Sequence, residues 1–105
     1  MQIYADHAAT TKMSRAAVQA MMPYIESFYG NPSCIHTEGV RAAQALMDSR
    51  RTMAACLGAD FREIYFTSGG SEADNQALVS AAALGAGKGH KHIISTAFEH
   101  PAVVR

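Results

Sequence analysis

The chain has 105 residues, 49% of them apolar and 17% charged, a globular composition that excludes a disordered chain. Nine Lys and Arg balance nine Asp and Glu, so the formal net charge is zero. That balance argues against a general nucleic-acid or anionic-membrane binder, and no apolar run approaches the roughly 20 residues of a membrane span.

Residues 1–13 read as extended, with Ile3 and Tyr4 as a short apolar start. The opening lacks a basic region followed by an apolar one, so no secretory signal is expected and a cytoplasmic chain is the default. Ser14 fits an N-cap for a helix carrying Val18, Met21, Met22 and Ile25 on one face. Pro23 falls inside that pattern and predicts a kink or a break. Gly30-Asn31-Pro32-Ser33 is a loop by composition.

A longer helix fits residues 37–57, with Val40, Ala43, Leu46, Met47, Met53, Ala54 and Leu57 at helical spacing. Gly58 sits where a left-handed C-cap is wanted. Glu63-Ile64-Tyr65-Phe66-Thr67 has strand composition, and Ser68-Gly69-Gly70 follows it. Ser71 is expected to open a helix, with Ser71-x-x-Asp74 as a variant capping box. Gly85, Gly87 and Gly89 end that helix, and His92-Ile93-Ile94-Ser95-Thr96 is a second strand pattern. Glu99-His100-Pro101 reads as a turn into a further helix, Pro101 suiting its first turn. From residue 60 the order strand, helix, strand, helix predicts a parallel α/β sheet. Two strands are too few for such a sheet, and nothing caps the last helix, so the chain reads as a piece of a larger fold.

The stretch Phe66-Thr67-Ser68-Gly69-Gly70-Ser71-Glu72 carries the best chemical signal. Glycines after a strand let backbone approach a ligand, and the helix N-terminus that follows offers free N–H groups to an anion. Two readings stand: an anion site, or an ordinary strand–turn–helix joint with a capping serine. The pattern matches neither common nucleotide fingerprint. His100 follows the second strand pattern at the sheet edge where α/β folds bind ligands, and it reads either as a ring-stacking or proton-moving group or as a turn histidine.

The other reactive residues point to less. Cys34 and His36 form a conceivable nucleophile pair, but such pairs usually come from distant positions, and a thiol beside a polar loop is the simpler account. Cys34 and Cys56 form no metal-binding spacing and are expected to be thiols, Cys56 as a small buried hydrophobe. His90 and His92 lack a third ligand nearby and read as solvated strand-edge residues. The methionines read as core filler and Arg50-Arg51 as solvated helix surface.

Taken in order, these segments resemble the cysteine desulfurases, in the class V aminotransferase group of pyridoxal-phosphate enzymes. The resemblance rests on Tyr4-x-Asp6-x-Ala8-Ala9-Thr10-Thr11, on Gly30-Asn31-Pro32-Ser33-x-x-His36, on Phe66 through Asn75, and on Glu99-His100-Pro101-Ala102-Val103. The blocks follow the family's order and spacing and cover essentially the whole chain.

The resemblance implies the N-terminal part of a fold-type-I pyridoxal-phosphate transferase: helices plus the first strands of a mostly parallel α/β sheet. Residues 1–13 would belong to a small domain and 14–105 to the start of the large cofactor-binding domain. It implies a homodimer that takes sulfur from L-cysteine, releases L-alanine and passes a persulfide to an acceptor or scaffold protein, as in iron–sulfur cluster assembly. Gly70 and Ser71 match the pair that holds the cofactor phosphate. His100 matches the catalytic histidine stacked on the cofactor ring, and Ala9, Thr10, Asn31 and His36 match substrate-side segments.

Ser71 stands where threonine is more usual, Gly70 where alanine often is, and Cys34 where serine is usual. Cys34 is not at the family's sulfur-accepting position. Lys12, Lys88 and Lys91 match none of the family's cofactor-linking lysine, so the chain alone is expected to be inactive. Selenocysteine lyase, an aminotransferase, or a non-catalytic phosphate- or partner-binding relic stay open as alternatives.

Overall fold

A computed structural model describes residues 3–104 of the chain. Met1, Gln2 and Arg105, which the sequence reading puts in the extended start and the last helix, lie outside the described residues. The chain divides into two compact units, one running to Ile64 and the other starting at Tyr65.

The first unit is built on two helices. Helix α1 spans Arg15–Glu26, and the Ser14 side chain accepts from Ala17 N at 3.1 Å, as an N-cap should. The helix does not break at Pro23. It runs on to Glu26, and Ser27 N and Phe28 N both donate back to the Pro23 carbonyl at 3.0 and 2.8 Å. Proline removes one donor near the end of this helix, where the remaining turn still closes on its own carbonyl.

Helix α2 spans Thr37–Leu57, the expected bounds. His36 caps it through Nδ1, which accepts from Gly39 N at 3.4 Å. Gly58 closes it in the left-handed region at φ 67°. A 3₁₀ turn, Phe61–Glu63, follows and packs against α2. Asp60 and Glu63 cap each other's backbone there, and the Arg51 guanidinium lies 5.8 Å from the Phe61 ring centre.

The second unit holds helix α3, Gly70–Gly87, and a short helix α4, Pro101–Val104, which pack on each other. Pro101 is the first residue of α4, as its fixed φ and missing N–H favour. No β-strand forms among the described residues, which corrects the expectation for 63–67 and 92–96. Ile64 is extended, at φ −94° and ψ 122°, but a strand also needs ladder partners. Those bonds are non-local, and none of the described residues supplies them.

Burial departs from the helical-face reading in the same way. Ala54 is the buried apolar side chain among the described residues, while Val40 and Leu57 are 57% and 67% exposed. Cys56 is exposed rather than a buried hydrophobe. Met13, Met21, Met22 and Met53 are likewise exposed and are not core filler here. Arg50 is half-buried, not solvated. No helix among the described residues is long and apolar enough to cross a membrane.

Candidate functional site

The N-terminus of α3 forms differently from the expected capping box. The helix begins at Gly70, with Gly69 as an N-cap that has no side chain to offer. Ser71 is therefore inside the first turn, and Asp74 caps nothing. The carboxylate that matters is Glu72, which turns back to accept from Ser68 N at 2.7 Å and Ser68 Oγ at 2.5 Å. Those two donors hold the Glu72 carboxyl below its usual range, the Ser68 hydroxyl contributing most and the Ser68 N–H next. Thr67 Oγ1 donates to Gly69 O at 3.1 Å and braces the same loop.

This leaves the first-turn N–H groups of Gly70 and Ser71 facing outward, uncapped by any side chain. Space above Gly69 and Gly70 is open: a Cβ on either would meet nothing within 4 Å. An exposed hydroxyl, that of Ser71, completes the group. These three donors belong to the first turn, at the positive end of an 18-residue helix, which favours an anion such as phosphate.

His100 sits just before α4, on the same unit. Its Nδ1 accepts from Ala102 N at 3.1 Å, and its carbonyl accepts from Val103 N at 2.9 Å. With Nδ1 acting as acceptor, the neutral ring carries its proton on Nε2, which is free to face a ligand. Thr96 Oγ1 donates to Glu99 Oε1 at 2.8 Å and steadies the turn before it. Asn75 was singled out by no role in the sequence, yet its Nδ2 donates to Ser71 O at 2.8 Å and to Ala102 O at 3.1 Å. Its second bond ties α3 to α4, the helix that His100 precedes. An asparagine inside a helix is a poor helix former, and that was the available signal.

The remaining sequence-picked residues lie on the first unit. Asn31 Oδ1 accepts from Ser33 N at 2.9 Å, and Asn31 O accepts from Cys34 N at 3.0 Å, so Asn31 shapes the Gly-Asn-Pro-Ser loop. The Cys34 carbonyl then passes so close to Gly39 that a Cβ there would collide with it, and Gly30 stands in the same relation to the Glu38 carbonyl. Glycine is thus required for the loop to fold onto the start of α2. His36 is engaged as the α2 cap, and Cys34 is half-buried in the loop. Ala9 N and Thr10 N both donate to Asp6 O, at 3.2 and 3.3 Å, forming a turn that leaves the Thr10 side chain exposed. Ala9, Thr10, Asn31 and His36 thus share one unit, while Gly70, Ser71 and His100 share the other.

Other clusters offer less. A cavity of about 430 Å³ between α3 and the following segment is lined mainly by Leu78, Ala81, Ala82, His90, His92 and Ile93. Its two histidines have no third partner: no group of three or more His, Cys, Asp or Glu placed to hold a metal occurs among the described residues.

Comparison with known proteins matches this arrangement to one family. The aminotransferase class-V family model matches residues 3–105. The chain is 50% identical over 102 residues to a cysteine desulfurase of Trichormus azollae, covering 97% of this chain and 25% of that one. It is 44% identical over 102 residues to the cysteine desulfurase IscS of Methanosarcina thermophila, again covering 97% of this chain and 25% of that one. The solved structure of a NifS-like protein superposes with a TM-score of 0.87 at 34% identity, over 99% of this chain and 28% of that one. The chain therefore spans about a quarter of the length of the relatives it matches, and its fold is that of the corresponding part of the NifS-like protein.

Proposed function

This chain belongs to the aminotransferase class-V family, and from that premise we propose that it is part of a pyridoxal-phosphate-dependent cysteine desulfurase. The observation that carries the reading is the uncapped, open N-terminus of α3 held beside the His100 turn by Asn75. The cysteine desulfurase names of the relatives favour this activity over a selenocysteine lyase, an aminotransferase or a non-catalytic relic.

The residues present fit the cofactor. Gly70 and Ser71 N–H groups and the Ser71 hydroxyl bind the phosphate, whose charge the helix terminus favours. Glycine at position 70 serves as well as alanine there, because the backbone N–H is the donor. His100 would face the cofactor ring, with Nε2, the nitrogen not engaged with Ala102, available to hold or move a proton. Glu72 stays turned toward Ser68, which keeps a negative charge off the phosphate-binding N–H groups. By the family resemblance, Ala9, Thr10, Asn31 and His36 are assigned to the substrate side. When bound, pyridoxal phosphate supplies the electron sink for carbanion chemistry on the amino acid.

In the working enzyme the substrate is L-cysteine and the product L-alanine, with sulfur leaving as a persulfide for an acceptor or scaffold protein. We further read residues 1–13 as small-domain chain, 14–105 as the start of the large domain with its mostly parallel sheet, and the enzyme as a homodimer. The test is a titration of the 105-residue chain with pyridoxal phosphate, followed by NMR. Gly70 and Ser71 amide signals and the His100 ring signals should move together at saturable concentration. Signals that stay still, or that move equally with chloride, would remove the reading.

A further inference from the structure

We propose that Asn75 is a positioning residue: its side-chain amide clamps the turn carrying His100 to the first turn of α3, and so sets where the imidazole stands relative to Gly70 and Ser71. The inference deepens the cofactor-site reading above and rests on it for its functional meaning.

The carboxamide nitrogen has two hydrogens, and both are used. One goes to Ser71 O at 2.8 Å and the other to Ala102 O at 3.1 Å. The second bond joins positions 27 residues apart, so it is tertiary and not a by-product of helix geometry. Ala102 is held from both sides of its peptide groups: its carbonyl by Asn75, its N–H by His100 Nδ1 at 3.1 Å. A continuous relay therefore runs from the Ser71 carbonyl through Asn75 and Ala102 to the imidazole.

Helix α4 has four residues, too few to hold its own shape without support from a neighbour. Asparagine is unfavourable inside a helix, since its side chain competes for backbone groups, and the two acceptors account for its presence here. Aspartate has the same size and lacks the N–H donors, which makes it the sharpest probe.

The test uses the 105-residue chain and NMR. In the wild type, the Asn75 side-chain amide hydrogens should show proximity to Ala102, and the neutral His100 ring should be predominantly the Nε2–H form. In Asn75→Asp, the ratio of Nε2–H to Nδ1–H forms of His100 should fall on the order of fivefold, the effect of losing one hydrogen bond. The Ala102 amide signal should move with it, while His90 and His92 stay unchanged. A purely structural asparagine would leave the His100 tautomer ratio alone.

Unchanged His100 signals in a folded Asn75→Asp chain overturn the proposal, as does a wild type without the Asn75–Ala102 proximity. Should the variant not fold, the wild-type measurement decides. The two readings fail separately. Pyridoxal phosphate that leaves the wild-type Gly70 and Ser71 amides unmoved defeats the cofactor site, whereas unaltered His100 signals in the variant defeat only the role of Asn75.

Discussion

Ser71 contributes a backbone N–H and a hydroxyl at one place, and the two can be separated by substitution. Ser71→Ala keeps the N–H and should weaken pyridoxal-phosphate binding roughly tenfold, the usual effect of one hydrogen bond to a charged group. Ser71→Thr should bind like the wild type, and calorimetric titration of the three chains checks both outcomes. Glu72 gives a pH prediction of definite sign. Its carboxyl is held below the usual range by Ser68, so the loop contact is present above that range and is lost only as pH falls through the lowered value. The midpoint of the Ser68 amide titration should therefore lie lower in the wild type than the Glu72 midpoint in Ser68→Gly, which removes the hydroxyl donor. Equal midpoints would show that the Ser68 hydroxyl does not hold the carboxylate. Sequence reading singles out Gly70, Ser71 and His100 because glycines and a histidine at segment ends are visible one residue at a time. It misses Glu72 and Asn75, whose partners are set by how the chain turns back on itself.

Helix α2 is the element that local chemistry specifies best. Its bounds at Thr37 and Leu57 follow from a cap at each end, and caps act within a turn of the chain. Gly58→Ala puts a Cβ into the left-handed region and should cost about 1 kcal/mol of helix stability. Gly39→Ala should cost more, because the Cys34 carbonyl occupies the space the methyl needs. Circular dichroism melts of the two variants against wild type should rank them in that order; a harmless Gly39→Ala would mean that the loop does not close on α2. The strand patterns at 63–67 and 92–96 illustrate the opposite case. Their residues have strand composition, but composition records how a segment would sit in a sheet, not whether neighbours are there to pair with it. The N-cap of α3 stands two residues before the expected Ser71 for a related reason: a bare glycine can serve as N-cap when the loop before it is braced by Thr67 and Glu72.

The chain as a whole carries the open first turn of α3 and the His100 turn, and by the resemblance its lysines at 12, 88 and 91 match no cofactor-linking position. The purified 105-residue chain with pyridoxal phosphate should therefore release neither alanine nor sulfide from cysteine above background. Clear turnover would overturn that expectation and put one of these three lysines in the role. Fold family and site blocks were legible because short motifs in a fixed order identify a family. Burial was not, since helical periodicity shows which face is apolar but not what, if anything, covers it. Leu57 at 67% and Val40 at 57% exposed, both on α2, are clear cases.

Ala54, at 3% exposed, has a consequence for how this chain melts. Heat-capacity change on unfolding comes chiefly from apolar surface newly exposed to water, and here most of that surface is already wet. A differential scanning calorimetry trace of the dilute chain should therefore be broad and shallow, with little step between its baselines. A sharp, symmetric peak would mean that the apolar faces find cover in solution, from another copy of the chain.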